Sequence, residues 1–293
     1  MFEADEHQRL VQETARRYAQ DALAKVAAQL DREGRFPAEQ LRELAELGMM
    51  GVNIPEEYGG AQAGAVAYAL AMMEIAQGCA STAVTMAVTN MVGETIVKFG
   101  TPEQRRRYVP ELTSGRFAAG SFGLSEPSGG SDAAALRTSA RRDGSGWVLN
   151  GEKQWITSGD RAGVIIVWAR TQAGSGSQGI SAFLVEGGQK GLRLGKREDK
   201  MGLRASSTVS LAFEELRLRA DQLLGEEGHA RWSLSDKGLA VAREFGLISR
   251  DGVLIDRALL RKQLVDLALE FEKMYRVVSR PGPMPPQAVS LEK

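Results

Sequence analysis

Two short segments in the middle of the chain carry residue types suited to holding a flat, polar ligand. The first is SFGLSEPSGGSD, residues 121–132, which places three glycines and four serines in twelve positions. Glycines let the backbone approach a ligand closely, and serine hydroxyls and free backbone N–H groups offer hydrogen bonds. Taken alone, such a segment more often forms only a surface turn.

The second segment is NGEKQWITSG, residues 150–159, in which a tryptophan precedes a threonine by two positions. An indole face can cover a flat ring, and a nearby hydroxyl can bond to the polar edge of that ring. The alternative interpretation of Trp155 is an ordinary core residue of a strand. The sequence also has no GK[ST] motif and no GxGxxG between a strand and a helix, so it predicts neither a P-loop nor a Rossmann fingerprint.

Changes of pattern divide the chain into four parts and predict an α+β multidomain fold. Helical spacing indicates an N-terminal all-α domain over residues 1–117. Short β-branched and aromatic runs, separated by glycine and serine, predict a middle antiparallel β-barrel or sandwich over 118–222. Apolar residues at steps of three and four predict an amphipathic helix in a C-terminal part over 223–279, and the resemblance described below makes this part an incomplete C-terminal helical bundle. The proline-rich residues 280–293 are predicted to be a disordered tail.

Punctuating residues set the expected helix boundaries in the N-terminal domain. Helices are predicted over 38–47, about 65–78 and about 82–99, bounded by glycine and proline. Thr101 is predicted to cap a further helix, with Pro102 at its first position and Gln104 two positions later.

The composition argues against several classes of function. Lys plus Arg and Asp plus Glu number 37 each, so the zero formal charge gives no reason to expect nucleic acid as a partner. The single cysteine, Cys79, cannot form an intrachain disulfide, and two distant histidines do not indicate a metal site. No apolar run reaches the ~18 residues of a membrane span, and the acidic N-terminus lacks the pattern of a secretory signal. These features predict a cytoplasmic protein.

Both polar segments resemble the flavin-contacting stretches of the acyl-CoA dehydrogenase family. Three further stretches resemble the family in the same order, namely DREGRFPAEQLRELAELGMMGVNIPEEYGG, ASTAVTMAVTNMVGETIVKFGTPEQRRRYVPELTSGRFAAG and KMGLRASSTVSLAFEELRLRADQLLGEEG. The resemblance covers residues 1 to about 228. It implies an FAD-dependent oxidoreductase of fatty acid metabolism, which desaturates an acyl-CoA thioester to a trans-2-enoyl-CoA with hydride transfer to the flavin.

The resemblance also carries site residues over to this chain. The cofactor-binding positions that it implies are Phe122, Leu124, Ser125, Gly130, Ser131, Trp155, Ile156 and Thr157. Ser125 stands where the family more often has threonine, and both residues provide a hydroxyl. Ser131 is also matched to a position beside the acyl-CoA substrate.

Three charged residues near these motifs have two possible roles each. Glu126 and Asp132 are candidate general bases, but we expect them to tie their loop to backbone N–H groups. Arg204, in MGLRASST, is a candidate for binding a CoA phosphate, and anchoring of a turn is the alternative.

The C-terminal part departs from the family pattern. From Gly225 onward 69 residues remain (293 minus 224), whereas a bundle of four long helices needs more than ~100. The stretch DRALLRKQLVDLALEFEKMYRVV resembles the second helix of that bundle, and the loop that carries the base in most members has no counterpart. The catalytic residue is therefore left unassigned, with Glu244 as the nearest candidate carboxylate.

Three functions are consistent with these features. The first is an FAD-dependent acyl-CoA dehydrogenase, completed in a homo- or hetero-oligomer, with an electron-transferring flavoprotein as its acceptor. The second is a non-catalytic homologue, a partner subunit or remnant, because apolar stripes left without their partner helices imply an interaction surface. The third keeps the flavin but changes the chemistry, as in related monooxygenases and nitroalkane oxidases.

Overall fold

A computed structural model describes residues 4–130, 132–175 and 179–228 of the chain. The predicted bundle helix, the proline-rich tail, Glu244 and Ser131 lie outside the described residues. Within them, helices come first and strands follow. The helices are α1 (Glu6–Tyr18), α2 (Ala24–Glu33), α3 (Ala38–Glu46), α4 (Gly64–Gly78), α5 (Ala80–Phe99) and α6 (Pro102–Thr113).

The predicted cap of α6 is confirmed. The Gln104 amide donates to Thr101 Oγ1 at 3.2 Å, and the Thr101 amide donates to Gln104 Oε1 at 3.0 Å. These two bonds satisfy amides that a helix N-terminus leaves unpaired. The same Gln104 side chain donates to the carbonyls of Asp221 and Leu223, each at 2.8 Å, so the start of α6 is fastened to the end of the sheet domain.

A π-helical turn, Ala19–Leu23, lies between α1 and α2. A Cβ on Gly78 would lie only 2.8 Å from the Ala19 carbonyl oxygen, so α4 approaches the turn closely. In the part of the chain that the structure describes, no helix is long and apolar enough to cross a membrane.

In the described residues, eight strands form one sheet in the order β6-β7-β3-β2-β4-β5-β8, with β1 paired to β4. The strands are β1 (Ala119–Gly123), β2 (Ser139–Asp143), β3 (Gly146–Thr157), β4 (Ala162–Arg170), β5 (Ile180–Glu186), β6 (Leu192–Arg197), β7 (Thr208–Leu218) and β8 (Leu223–Leu224). The prediction of a purely antiparallel domain is wrong, because β1 runs parallel to β4, and Ser139 of β2 makes a parallel pair with Arg170. Side-chain alternation is the same for both strand directions, so the residue pattern could not distinguish them.

β4 separates two hydrophobic clusters, which explains its continuous apolar run. Ile165 and Val167 point into the interior of the sheet domain. Ile166 and Trp168 point to the other side, where they pack with residues of α5 and α6 such as Val92 and Leu112. A strand buried on both faces is nearly all apolar, as parallel-paired strands commonly are. β1 and β4 therefore lie where the helices pack against the sheet domain.

Candidate cofactor-binding site

The two polar segments of the sequence lie side by side in the structure. The Gln154 amide donates to the Ser125 carbonyl at 2.9 Å, and Ser121 Oγ donates to the Thr157 carbonyl at 2.7 Å. The end of β1 and the residues after it therefore run along the end of β3. This contact places Ser125 within one residue of Trp155.

Trp155 is the most unusual residue of the site. Its backbone φ is +59°, although it lies inside a strand, and its side chain is 60% exposed. The pairing of β3 with β7 shifts between Lys153 and Ile156, whose partners are Leu211 and Val209. Three steps on β3 thus match two on β7, which is a β-bulge, a feature that often redirects a side chain next to a functional site. Trp155 is not the ordinary core residue of the alternative interpretation.

A bulky residue at positive φ is a true backbone outlier. Such strain costs about 1–3 kcal/mol and is found preferentially at ligand sites. The neighbours of Trp155 are oriented differently. Ile156 is 2% exposed and packs inside the sheet domain, so only its backbone is available to a ligand, whereas Thr157 is half-buried.

Phe122 and Leu124 face the helices. Both pack against the cluster that fills the space between the sheet and α5 and α6, and the Phe122 ring lies 4.0 Å from the Trp168 ring, centroid to centroid. Because side chains alternate along a strand, Ser121 of β1 points to the opposite side, where its hydroxyl reaches β3. Phe122 and Ser121 therefore belong to two different surfaces of β1.

Ser125 and Gly130 are brought together by a tight turn. Glu126 and Gly129 exchange two backbone hydrogen bonds, of 3.0 and 3.1 Å, which fold the chain back. A Cβ on Gly130 would lie 3.9 Å from Ser125 Oγ, so position 130 lies beside this half-buried hydroxyl. Ser131, which follows, is outside the described residues.

Glu126 and Asp132 both accept hydrogen bonds from backbone amides of their loop, as predicted. The Glu126 carboxylate accepts from the amides of Arg137 and Thr138 at 2.6 and 2.9 Å, so one side chain closes both ends of the loop 126–138. Asp132 Oδ1 accepts from the Ala134 amide at 3.2 Å. Both carboxylates therefore have structural contacts.

Lys153 was missed by the sequence reasoning. It is fully buried, and its Nζ donates to Glu126 Oε1 at 2.8 Å and to the Leu124 carbonyl at 3.1 Å. Burial would raise the pKa of the Glu126 carboxyl, but hydrogen bonds from Lys153 and from the two amides outweigh it, so this pKa lies below its ordinary value. Burial lowers the pKa of Lys153, and Glu126 opposes that shift. Lysine is so rarely buried that its position in a strand gives no signal of this role.

Arg204 presents its backbone, rather than its side chain, to the described part of the molecule. Its amide donates to Asp31 Oδ1 at 2.8 Å, and its carbonyl accepts from Arg197 at 2.5 Å. These contacts agree with the anchoring of a turn.

A separate groove of about 770 Å³ lies at the opposite end of β1 and β4, beside Phe117 and Gly163. Its arginines 107, 116 and 161 lie 2.7, 2.7 and 3.4 Å from carboxylates of residues 186, 111 and 160. These paired charges give the groove no preference for an anionic ligand.

The donor set at the junction of the two segments fits the flavin that the sequence implies. An exposed indole is held in a strained conformation, and Ser125 and Thr157, both half-buried, provide hydroxyls on the two adjoining segments. An aromatic face and hydroxyl donors are what a flat ring with a polar edge requires.

Comparison with known proteins gives matches across both domains. The family model "Acyl-CoA dehydrogenase, N-terminal domain" matches residues 5–116, and "Acyl-CoA dehydrogenase, middle domain" matches residues 121–216. The mitochondrial short-chain specific acyl-CoA dehydrogenase of Bos taurus is 49% identical over 227 residues, which cover 77% of this chain and 55% of the relative. The chain thus spans about half the length of that relative.

Two solved structures show the same fold. Butyryl-CoA dehydrogenase from Megasphaera elsdenii is 30% identical with a TM-score of 0.75, over 94% of this chain and 76% of the other. A glutaryl-CoA dehydrogenase from Mycobacterium smegmatis, in complex with FADH2, is 34% identical with a TM-score of 0.72, over 83% of this chain and 61% of the other.

Proposed function

Because the chain belongs to the acyl-CoA dehydrogenase family, whose N-terminal and middle domain models it matches, we propose that it binds FAD and desaturates an acyl-CoA thioester. The observation that carries this proposal is the junction of Ser125 with the bulged, exposed Trp155. Structural strain at an exposed aromatic residue is explained if a bound ring covers the indole.

The residues of the junction divide the binding of FAD among them. The Trp155 face would cover the isoalloxazine ring, and the Ser125 and Thr157 hydroxyls would bond to its polar edge. Gly130 and Ser131 would lie near the ribityl and pyrophosphate part. Phe122 and Leu124 would support the site from the helical side, and Ile156 would contribute only backbone. When bound, FAD would supply the acceptor for the hydride that leaves the β-carbon of the acyl chain.

The remaining chemistry needs a base for the α-proton of the thioester. Glu126 and Asp132, the carboxylates of the 121–132 segment, are both engaged with backbone amides. The base is therefore expected from another part of the functional assembly, with Glu244 as the candidate in this chain. The acceptor of electrons is proposed to be an electron-transferring flavoprotein, and the assembly a homo- or hetero-oligomer.

The proposal is tested on purified chain with added FAD. A yellow protein, with the flavin bands retained after gel filtration, is expected. Butyryl-CoA is the first substrate to add, because the Bos taurus relative is short-chain specific. Anaerobic bleaching of the flavin and formation of the enoyl-CoA would support the full activity. A colourless protein after incubation with excess FAD would refute the proposal.

A non-catalytic partner subunit is the second candidate, and the engagement of Glu126 and Asp132 favours it. Under this alternative the chain binds FAD but does not bleach with any acyl-CoA. Turnover with an artificial electron acceptor by this chain alone would exclude it.

A further inference from the structure

Lys153 lies against the segment that carries Ser125, in the junction of Ser125 and Trp155 that is called the cradle below. Its Cγ lies 3.6 Å from the place that a Cβ on Gly123 would take, and its Nζ reaches the Leu124 carbonyl and the Glu126 carboxylate. The side chain thus runs beneath residues 123–126 and contacts both neighbours of Ser125. From its own strand, Lys153 is two positions from Trp155.

The ion pair is an unusual choice for this place. Across the sheet, Lys153 lies opposite Leu211, a core residue. Both members of the Lys153–Glu126 ion pair are almost inaccessible to solvent, with side-chain exposures of 0% for Lys153 and 4% for Glu126. Removing two charges from water is costly, and apolar residues of similar size often stabilise such a site better. Contributions to stability alone therefore do not account for this pair.

The contacts show what the ammonium fixes. It holds Leu124 through its carbonyl and Glu126 through its carboxylate, while Ser125 between them accepts a separate hydrogen bond from the Gln154 amide. The Glu126 carboxylate also holds the far end of the loop at Arg137 and Thr138. Both neighbours of Ser125, and through Glu126 the closure of the loop, consequently depend on one lysine.

We propose that Lys153 is a positioning residue that holds the Ser125 hydroxyl in register with Trp155 and so preorganises the cradle for the flavin. This inference rests on the proposed function, because it concerns the same FAD site. It acts through Leu124 and Glu126 and requires no contact of Lys153 with the cofactor.

The test compares Lys153→Met with Leu23→Ala in the full chain. Methionine fills the buried space without a charge. Leu23 is fully buried in the core of the helical domain, so its truncation destabilises the fold without touching the cradle. Two readouts follow: hydrogen exchange of the Gln154 amide without FAD, and the FAD dissociation constant with the visible spectrum of the bound flavin.

Lys153→Met is expected to speed exchange at Gln154, to raise the FAD dissociation constant about tenfold or more, and to shift the flavin bands. Leu23→Ala is expected to leave the spectrum and the Gln154 exchange near wild type. Equal exchange, affinity and spectrum in Lys153→Met and wild type would overturn the proposal, as would equal changes in both variants. Wild-type chain that binds no FAD would instead refute the proposed function, and the positioning role with it.

Glu126→Gln keeps the test decisive if Lys153→Met fails to fold. It removes the charged partner but leaves the ammonium within reach of the Leu124 carbonyl. A weaker FAD affinity is expected here too, and the reduction potential of the bound flavin is expected to rise, because the ammonium is no longer neutralised. An unchanged affinity together with an unchanged potential would contradict the proposal.

Discussion

Replacement of Trp155 tests stability and cofactor binding separately. Trp155 is 60% exposed, so its removal forfeits less buried area than that of a core tryptophan, whereas its φ of +59° favours glycine over most other residues. The left-handed conformation costs an L-residue about 1–2 kcal/mol. Trp155→Gly is therefore expected to be about 1 kcal/mol more stable than Trp155→Ala, since glycine avoids the steric cost but loses more chain entropy on folding.

FAD binding, unlike stability, should fall to a similar extent in both variants. Stacking of a flat base on an aromatic side chain contributes about 1–3 kcal/mol, and a stacked flavin is expected to lie in the same range. Both variants should therefore weaken FAD binding by a factor of about 5 to 150. Urea unfolding of the protein without FAD gives the stabilities, and quenching of flavin fluorescence gives the affinities. Truncation of a core tryptophan costs more than ~3 kcal/mol. If Trp155→Ala lowered the unfolding free energy without FAD by that much, the indole would be buried rather than exposed. Wild-type FAD affinity in both variants would refute its stacking role.

Three further predictions concern the framework of the site. Lys153→Met and Glu126→Gln should each cost about 3–5 kcal/mol in urea unfolding, and the double variant should cost at least ~2 kcal/mol less than their sum, because each single change leaves a buried charge unpaired; additive costs would contradict a direct pair. Gly151→Ala should cost more than ~2 kcal/mol, since its φ is +139° and a Cβ would lie 2.6 Å from Thr138 Cα. Gly144→Ala, at φ +60° with open space around it, is the control and should cost about 1 kcal/mol. The lowered pKa of Glu126 contributes stability that is present above the ordinary value of ~4.3 and is lost as pH falls through the folded-state pKa; unfolding free energies between pH 6 and pH 3 should therefore fall more steeply in wild type than in Glu126→Gln, and parallel curves would contradict this.

The helical half of the fold could be predicted closely from local chemistry. The start of α6 is recognisable from the side chains of Thr101, Pro102 and Gln104, which form its N-terminal cap, and glycine or proline lies at most helix ends. The direction of β1 could not be predicted in this way. It depends on where the chain leaves the helices and enters the sheet, and the alternation of side chains is the same for either strand direction.

The residues of the site stay a prediction from the resemblance, and their geometry could not be predicted from the sequence. The resemblance identified both segments, and the structure places Ser125 beside Trp155. Regular alternation would put Lys153, Trp155 and Thr157 on one face of β3. Only pairing with β7 reveals the bulge, and only the closed loop around Glu126 explains why a lysine is buried.

The strain at Trp155 and the burial of Lys153 have one origin. Lys153 and Ile156 pair with Leu211 and Val209, which lie two apart on β7 and point into the same interior. Residues three apart on a regular strand point to opposite faces, so both can face the same interior only if β3 absorbs one extra residue. The residue with positive φ in this interval is Trp155. Burying the lysine that holds the loop therefore forces the neighbouring indole out of the core, and a single irregularity of β3 builds both the support of the site and its exposed face.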